Sequence, residues 1–405
     1  MRGQMILLMA GVLMTLLGFL AIATDIGLLW NTRRQMQTAA DSAAIAAQQE
    51  LFAPNAGATL VSAADDDAAS NGFTNGVNGA NVMVNNPPLY GTYAGNTKAV
   101  EVIVSENQST FFLRALGLTM VPVSARAVGV PGSGSGCVIA MDPAASNALV
   151  ASGSANVSAQ CGIWVNSSST SGMSASGSAC IQGGSINVVG SSYSNHSSCP
   201  PSPTPQTGLQ AISDPLAYVQ APSTAGSCAQ TNYSINSGTV TLSQGIYCGG
   251  ITVSGNSTTL NLNAGTYILM GGGLSVQGGA NLVGTGVTFY NTQNSSYSYK
   301  PITFSGGSST TLTAPTTGSL EGILFFEDRS ITSSQKNAVS GATGTVLQGT
   351  LYFPHDELDY SGGSSATAYT ILVADIIQFT GPSVINDNYA TLTDGSPIRV
   401  ASLGE

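Results

Sequence analysis

Charge is what this sequence has least of. Lys, Arg, Asp and Glu make up 7% of its 405 residues, against about a quarter in an ordinary soluble protein. Only 10 residues are Lys or Arg, and the formal net charge is −10. A protein that grips nucleic acid must neutralise phosphates with a basic patch, so no nucleic-acid partner is expected. Histidine is almost missing too: His196 and His355 are the two, and no Cys-x-x-Cys pair occurs. A zinc site is therefore not expected. Phosphate-cradling loops, a Gly-x-Ser-x-Gly elbow and a Cys/His nucleophile pair are all missing. No cofactor and no enzymatic activity are expected.

What fills the space is glycine, 49 of them, with Ser, Thr and Asn. Such a chain presents a polar, uncharged surface, which suits an envelope or extracellular β-rich protein. Its six cysteines, Cys137, Cys161, Cys180, Cys199, Cys228 and Cys248, fall between residues 137 and 248. An even number of them reads as up to three disulfides formed in an oxidising compartment. Six cysteines admit 15 pairings; closeness in sequence favours Cys228–Cys248.

The other concentrated feature is at the N-terminus. Met5–Thr24 carries no charge, and about 20 apolar residues suffice to span a bilayer. The apolar run resumes after Asp25 as Ile-Gly27-Leu-Leu-Trp30, placing Asp25 near the membrane boundary with Trp30 as an interfacial anchor. Asp25 reads either as an acid within reach of headgroups or as a contact with a partner subunit. Ala21-x-Ala23 resembles a signal-peptidase site, but the helical pattern continues unbroken to about Glu50, which favours a retained anchor. Beyond the apolar run, Ala39, Ala40, Ala43, Ala44 and Ala47 form a small-residue face that lets another helix approach closely.

The string RGQMILLMAGVLMTLLGFLAIATDIGLLWNTRRQMQTAADSAAIAA resembles the N-terminal region of TadG-like proteins of the bacterial Tad (Flp) pilus-assembly system. The features that match are the apolar segment, Asp25-x-Gly27, Arg33-Arg34, Gln37 and AADSAAIAA at 39–47. Residues 99–129 are similar to the strand–helix–strand that follows in these pilin-like proteins. There VEVIV and VPVSARAV alternate as strands, and STFFLRALG is a short helix capped by Ser109 and Gly117. The resemblance implies a single-pass inner-membrane protein with its C-terminal part in the periplasm or on the cell surface or pilus. It also implies other Tad pilus subunits as partners of the N-terminal helix. One departure is that the fifth residue after Gly3 is Leu8, where prepilins carry glutamate.

Past the Gly/Ser linker at 130–136, a short unit recurs: ITVSG (251–255), LSVQG (274–278), ITFSG (302–306), AVSG (338–341), LDYSG (358–362) and IQFTG (377–381). Short strands repeating every 20 to 28 residues or so, with Gly, Ser and Asn at the corners, signal a stacked solenoid. The expected fold is an N-terminal transmembrane helix with a small α+β pilin-like domain, then all-β, a right-handed parallel β-helix. A jelly roll or antiparallel β-sandwich is the alternative. The boundaries expected are 1–50 for the anchor and Ala-rich helix, 51–129 for the α+β region, 137–398 for the β-helix and 399–405 for a tail.

Since β-helices often cleave polysaccharides, the acidic clusters need weighing. FFEDRS holds Glu327, Asp328 and Arg329; PHDELDY holds His355, Asp356, Glu357 and Asp359, the one candidate for a ligand or cation. Both read as solvated turns between coils, and Asp65–Asp67 reads as a solvated helix face. The function expected is a structural or assembly component of a Tad-type pilus, minor pilin-like. Its β-helix would be presented for binding or adhesion, with cell-wall or surface glycans as candidate contacts. A membrane-anchored polysaccharide-active enzyme is the alternative.

Overall fold

The computed structural model describes residues 2–52, 56–133, 136–305, 307–332, 334–340, 345–363, 369–393 and 395–405. Within the helix at the N-terminus, the side chains of residues 2–8, 10, 11, 14 and 17 also lie outside the described set. Linker residues 134–135 and the repeat glycines 306 and 341 lie outside it as well. The chain divides into two compact units, Met1–Gly132 with Arg399–Glu405, and Ser133–Ile398.

In the first unit α1 (Arg2–Leu51) runs unbroken for 50 residues and α2 (Ala56–Ser70) follows it. Neither proline nor a left-handed residue interrupts α1, which is why it continues past the apolar run. Three antiparallel strands come next, β1 (Asn81–Asn85), β2 (Val100–Ser109) and β3 (Met120–Ser133). The segment Arg399–Leu403, expected as a tail, is a fourth strand beside β3. Its end is held by two backbone bonds, Val128 N–H to Glu405 O and Gly404 N–H to Val128 O. Arg126 adds an ion pair to Glu405 and another to the buried Glu101.

The alanine face of α1 finds its partner inside this unit. Ala39, Ala40, Ala43, Ala44 and Ala47 are fully buried, packed with Leu60, Ala64 and Ala68 of α2 and with Val82, Val100, Val102 and Val104 of the sheet. The expectation of a free surface for another subunit's helix is corrected on this point: the surface is consumed within the chain. Small residues permit close approach. A Cβ on Gly129 would lie 2.3 Å from the Ala44 carbonyl oxygen. Ala43→Leu is expected to destabilise this unit by about 2 kcal/mol through overpacking, measured by thermal unfolding; an unchanged melting temperature would contradict the packing described.

Among the described residues no helix is long and apolar enough to cross a membrane. Part of the Met5–Thr24 run falls on side chains outside that set. Those that are described, Met9, Val12, Leu13, Leu16, Phe19 and Leu20, are exposed.

The second unit is a stack of parallel strands, unlike an antiparallel sandwich or jelly roll. The recurrent motif forms its columns. Ile251 sits beside Leu274, then Ile302, Asn337, Leu358, Ile377, Leu149 and Met173 in successive register. Two residues on, Val253, Val276, Phe304, Val339, Tyr360, Phe379, Ala151 and Ala175 form a second buried column. A third is aromatic: Tyr267, Phe289 and Phe325 stack with centroids 5.5 Å apart.

The order of the stack differs from the order of the chain. The chain enters at Gly136–Ala140, which lies beside Leu372–Ala374 near the C-terminal end of the sequence. From there it builds toward one end, through Gly162–Val165 to Ser185–Val188. Residues 199–208 bond to that end layer, with Ser202 beside Gln182 and Gln206 beside Asn187; residues 209–227 then run back along the stack as a strap, and Cys228–Ile235 begins the far end. The remaining strands return to the middle. Three disulfides join neighbouring layers: Cys137–Cys161, Cys180–Cys199 and Cys228–Cys248, the last being the pair favoured by proximity. Cys180–Cys199 and Cys228–Cys248 lie at opposite ends, where a layer has one neighbour instead of two and frays most easily. Replacing Cys228 and Cys248 by Ser is expected to weaken that end by about 2–3 kcal/mol. Hydrogen exchange should rise over 228–254 and stay unchanged near Val138; uniform loosening would contradict an end-staple.

Candidate functional site

Two places concentrate polar chemistry in apolar surroundings, one in each unit. The first is Asp25, 2% exposed. Its Oδ1 accepts the Phe111 N–H at 3.0 Å, and its Oδ2 accepts those of Phe112 at 2.8 Å and Leu113 at 2.6 Å. These are the free donors at the start of the 3₁₀ turn Leu113–Leu116. Burial by itself raises the carboxyl's pKa, and the three N–H donors outweigh it, holding the group below its usual range. Ser109, expected to cap this helix, is instead the last residue of β2, and Phe112 is the N-cap residue, without a side-chain cap of its own. Gly117 closes the turn at φ 86°, as expected. The reading of Asp25 as a headgroup contact or partner contact is thereby revised: its carboxylate is taken up by its own chain. Gly27 and Trp30 are exposed beside it. Asp25→Asn removes the charge and is expected to free the 111–118 turn, read as faster hydrogen exchange at Phe112 and Leu113; unchanged exchange would contradict the clamp. For the same reason the turn should loosen in acid, as pH falls through the depressed pKa of Asp25.

The second place is a line of acids inside the stack. Glu327 ends its strand fully buried, with the His355 N–H 3.2 Å from its Oε2 and no partner on its Oε1. Asp356 is fully buried on the next layer. It accepts the Tyr299 hydroxyl at 2.6 Å, the Gln335 N–H at 2.6 Å and the Asn337 amide at 2.7 Å. Burial, then the neighbouring Asp356, pushes Glu327 up to about 9. Burial raises Asp356 as well, countered by its three donors. Asp375 on the following layer is pushed up to about 6 by burial and then by Asp142. Glu327 therefore keeps its proton at neutral pH.

The expected solvated turns are corrected here. Strand alternation splits the 355–359 cluster: Asp356 and Leu358 face inward, while Glu357 and Asp359 lie 2.8 and 3.4 Å from Lys336 Nζ on the outside. His355 is exposed, its Nε2 3.1 Å from the Arg329 carbonyl. Among the described residues no three His, Cys, Asp or Glu side chains gather so as to hold a metal ion. Arg329 clamps the strap: its Nη1 donates to Val219 O at 2.9 Å, its Nη2 to Leu216 O at 2.5 Å and its Nε to Tyr352 Oη at 2.7 Å.

One sequence signal did mark the buried acid. In KNAVS, Asn337 occupies the column position that every neighbouring layer fills with an apolar residue, and Asn337 is what contacts Asp356. Nothing comparable marked Asp25, whose partners lie 86 to 88 residues away.

Neither curated proteins nor solved structures provide a match to this chain. A family model does, over residues 3–65, the span of α1 and most of α2, and its description is "Putative Flp pilus-assembly TadE/G-like". The chain thus carries, over residues 3–65, a TadE/G-like segment of the Flp pilus-assembly type.

Proposed function

We propose that this protein is a membrane-anchored, minor pilin-like component of a Tad-type pilus. The uncharged run Met5–Thr24 of α1 spans the inner membrane once. The unit at 133–398 is a right-handed parallel β-helix displayed in the periplasm or on the pilus for binding or adhesion. The observation that carries the reading is the coincidence of the 3–65 family match with a helix whose alanine half is buried in its own unit and whose described apolar half is exposed. Exposed Met9, Leu13, Leu16 and Phe19 are costly in water and suit lipid or other transmembrane helices. Disulfides, few charges and a Gly/Ser/Thr surface fit an oxidising compartment outside the cytoplasm.

The polysaccharide-active alternative draws no support from the acid line, because Glu327 and Asp356 are both closed off from solvent and a sugar could not touch them. Deleting the gene tests the proposal. Pili should be lost, and be restored by the full chain and by an Asp356→Asn, Glu357→Gln double variant. Normal piliation in the deletion strain, or polysaccharide cleavage by the purified chain that the double variant lacks, would overturn it.

A further inference from the structure

The segment from the end of β2 to the first residue of β3 exposes an unusual amount of apolar surface. Phe111 is 68% exposed, Phe112 51%, Leu118 53% and Met120 63%. Four large side chains within ten residues would not stay in water without a purpose. The turn that carries them is firmly built. Thr110 donates through its hydroxyl to the Leu118 carbonyl and through its N–H to that of Thr119, and the Asp25 carboxylate holds three successive N–H groups. Asp25 therefore fixes these side chains at the level of α1 where the uncharged run ends.

The surroundings are those of a membrane boundary. Trp30 is exposed on α1, and Arg33, Arg34 and Arg114 are exposed nearby in sequence on α1 and in the turn itself. Aromatic rings beside Arg at the end of an apolar run are the composition of the headgroup zone, where anionic phosphates meet the first methylenes. Between α1 and β3 an open cleft of about 400 Å³ is lined by Leu29, Trp30, Arg33, Pro122, Val123 and Ser124. It joins an apolar wall to a guanidinium, which matches a lipid headgroup. A protein partner covers one side of a helix. Here Ile26 and Leu28, two positions and so about 200° apart, are both exposed. Apolar surface on opposite sides of the helix favours lipid.

We propose that the 110–120 turn is a second membrane contact. Phe111, Phe112, Leu118 and Met120 enter the headgroup boundary of the leaflet from which α1 emerges, and Arg33, Arg34 and Arg114 lie over lipid phosphates. Asp25 is the positioning residue that sets the turn's depth. The inference rests on the reading of α1 as a membrane span.

Nitroxide labels test it on the full chain in phosphatidylcholine vesicles with and without phosphatidylglycerol. One label is placed at Leu118→Cys and one at Leu16→Cys; the six native cysteines are paired and do not react. The label at 16 should collide with oxygen and not with a water-soluble nickel chelate. The label at 118 should lose most of its nickel collisions too, more completely with phosphatidylglycerol present. Adding Asp25→Ala should restore nickel access at 118 and leave 16 unchanged. A shielded 16 with a fully accessible 118 would overturn this proposal alone, whereas an accessible 16 would overturn the membrane reading beneath it. Shielding at 118 that persists in concentrated detergent-solubilised protein and vanishes on dilution would assign the patch to a second copy of the chain and so overturn the lipid assignment.

Discussion

Glu327→Gln is expected to make the protein more stable at neutral and alkaline pH, and to leave it nearly unchanged near pH 4. The sign follows from the proton. An unfolded glutamate ionises near its ordinary value of 4.5, while in the folded chain Glu327 keeps its proton up to about 9. Between those values the native state binds more protons, so stability falls as pH rises. At about 1.4 kcal/mol per pH unit, the wild type has lost about 3 kcal/mol by pH 7 relative to a neutral isostere. Gln also meets the local need. Asn291 is the register neighbour of Glu327, and its Oδ1 is a buried acceptor without a partner, as is Glu327 Oε1. The proton on Glu327 supplies one donor to this pair of acceptors, and the Gln amide supplies one at every pH. Denaturant titrations of both proteins at pH 4, 7 and 9 measure the difference. Parallel pH profiles for the two proteins would show that Glu327 is ionised in the fold.

Arg329→Ala is expected to release the strap. The guanidinium donates to two strap carbonyls and to the Tyr352 hydroxyl, stands 3.7 Å from Asp214, and lies 4.9 and 5.0 Å from the Phe326 and Tyr352 ring centres. Hydrogen bonds from a charged donor contribute about 1.5 kcal/mol or more each, and the ring contacts about 0.5–1. Allowing for the partial exposure of Arg329, the loss should be about 4 kcal/mol. It should be local: Leu216 and Val219 leave their buried sites while the stacked columns persist. Limited proteolysis reads this directly, as early cleavage within 209–222 ahead of any cut in the strands. Lys cannot replace the clamp, because its single nitrogen does not span two carbonyls and a hydroxyl. A strap as resistant in Arg329→Ala as in the wild type would contradict the role given to Arg329.

What could be read from the sequence follows the range of the physics involved. Local and periodic signals carried far. The unbroken helical pattern predicted α1 to within a residue of its end at Leu51, alternation predicted β2 and β3, and the apolar-x-apolar-Ser/Thr-Gly motif picked out the residues that share register in the stack. Contacts between residues far apart in sequence were invisible. Nothing local to Gly136–Ala140 says that it pairs with Leu372–Ala374, and so the permuted order of layers is not legible in the sequence. Charged residues misled for the same reason. Asp25, Glu327 and Asp356 look like solvent-facing acids, and each is buried because partners distant in sequence supply N–H or O–H donors. The alanine face is legible as a packing surface, but a second helix of the same chain and one of another subunit leave the same small-residue pattern.

Membrane topology tests the account most directly. The full chain should stay with the inner-membrane fraction through alkaline carbonate washing, and protease added to spheroplasts should release a disulfide-containing fragment covering 133–398. A chain extracted by carbonate, or a C-terminal unit protected in intact spheroplasts and cut only after lysis, would contradict an anchored component that displays its stack outside the cytoplasm.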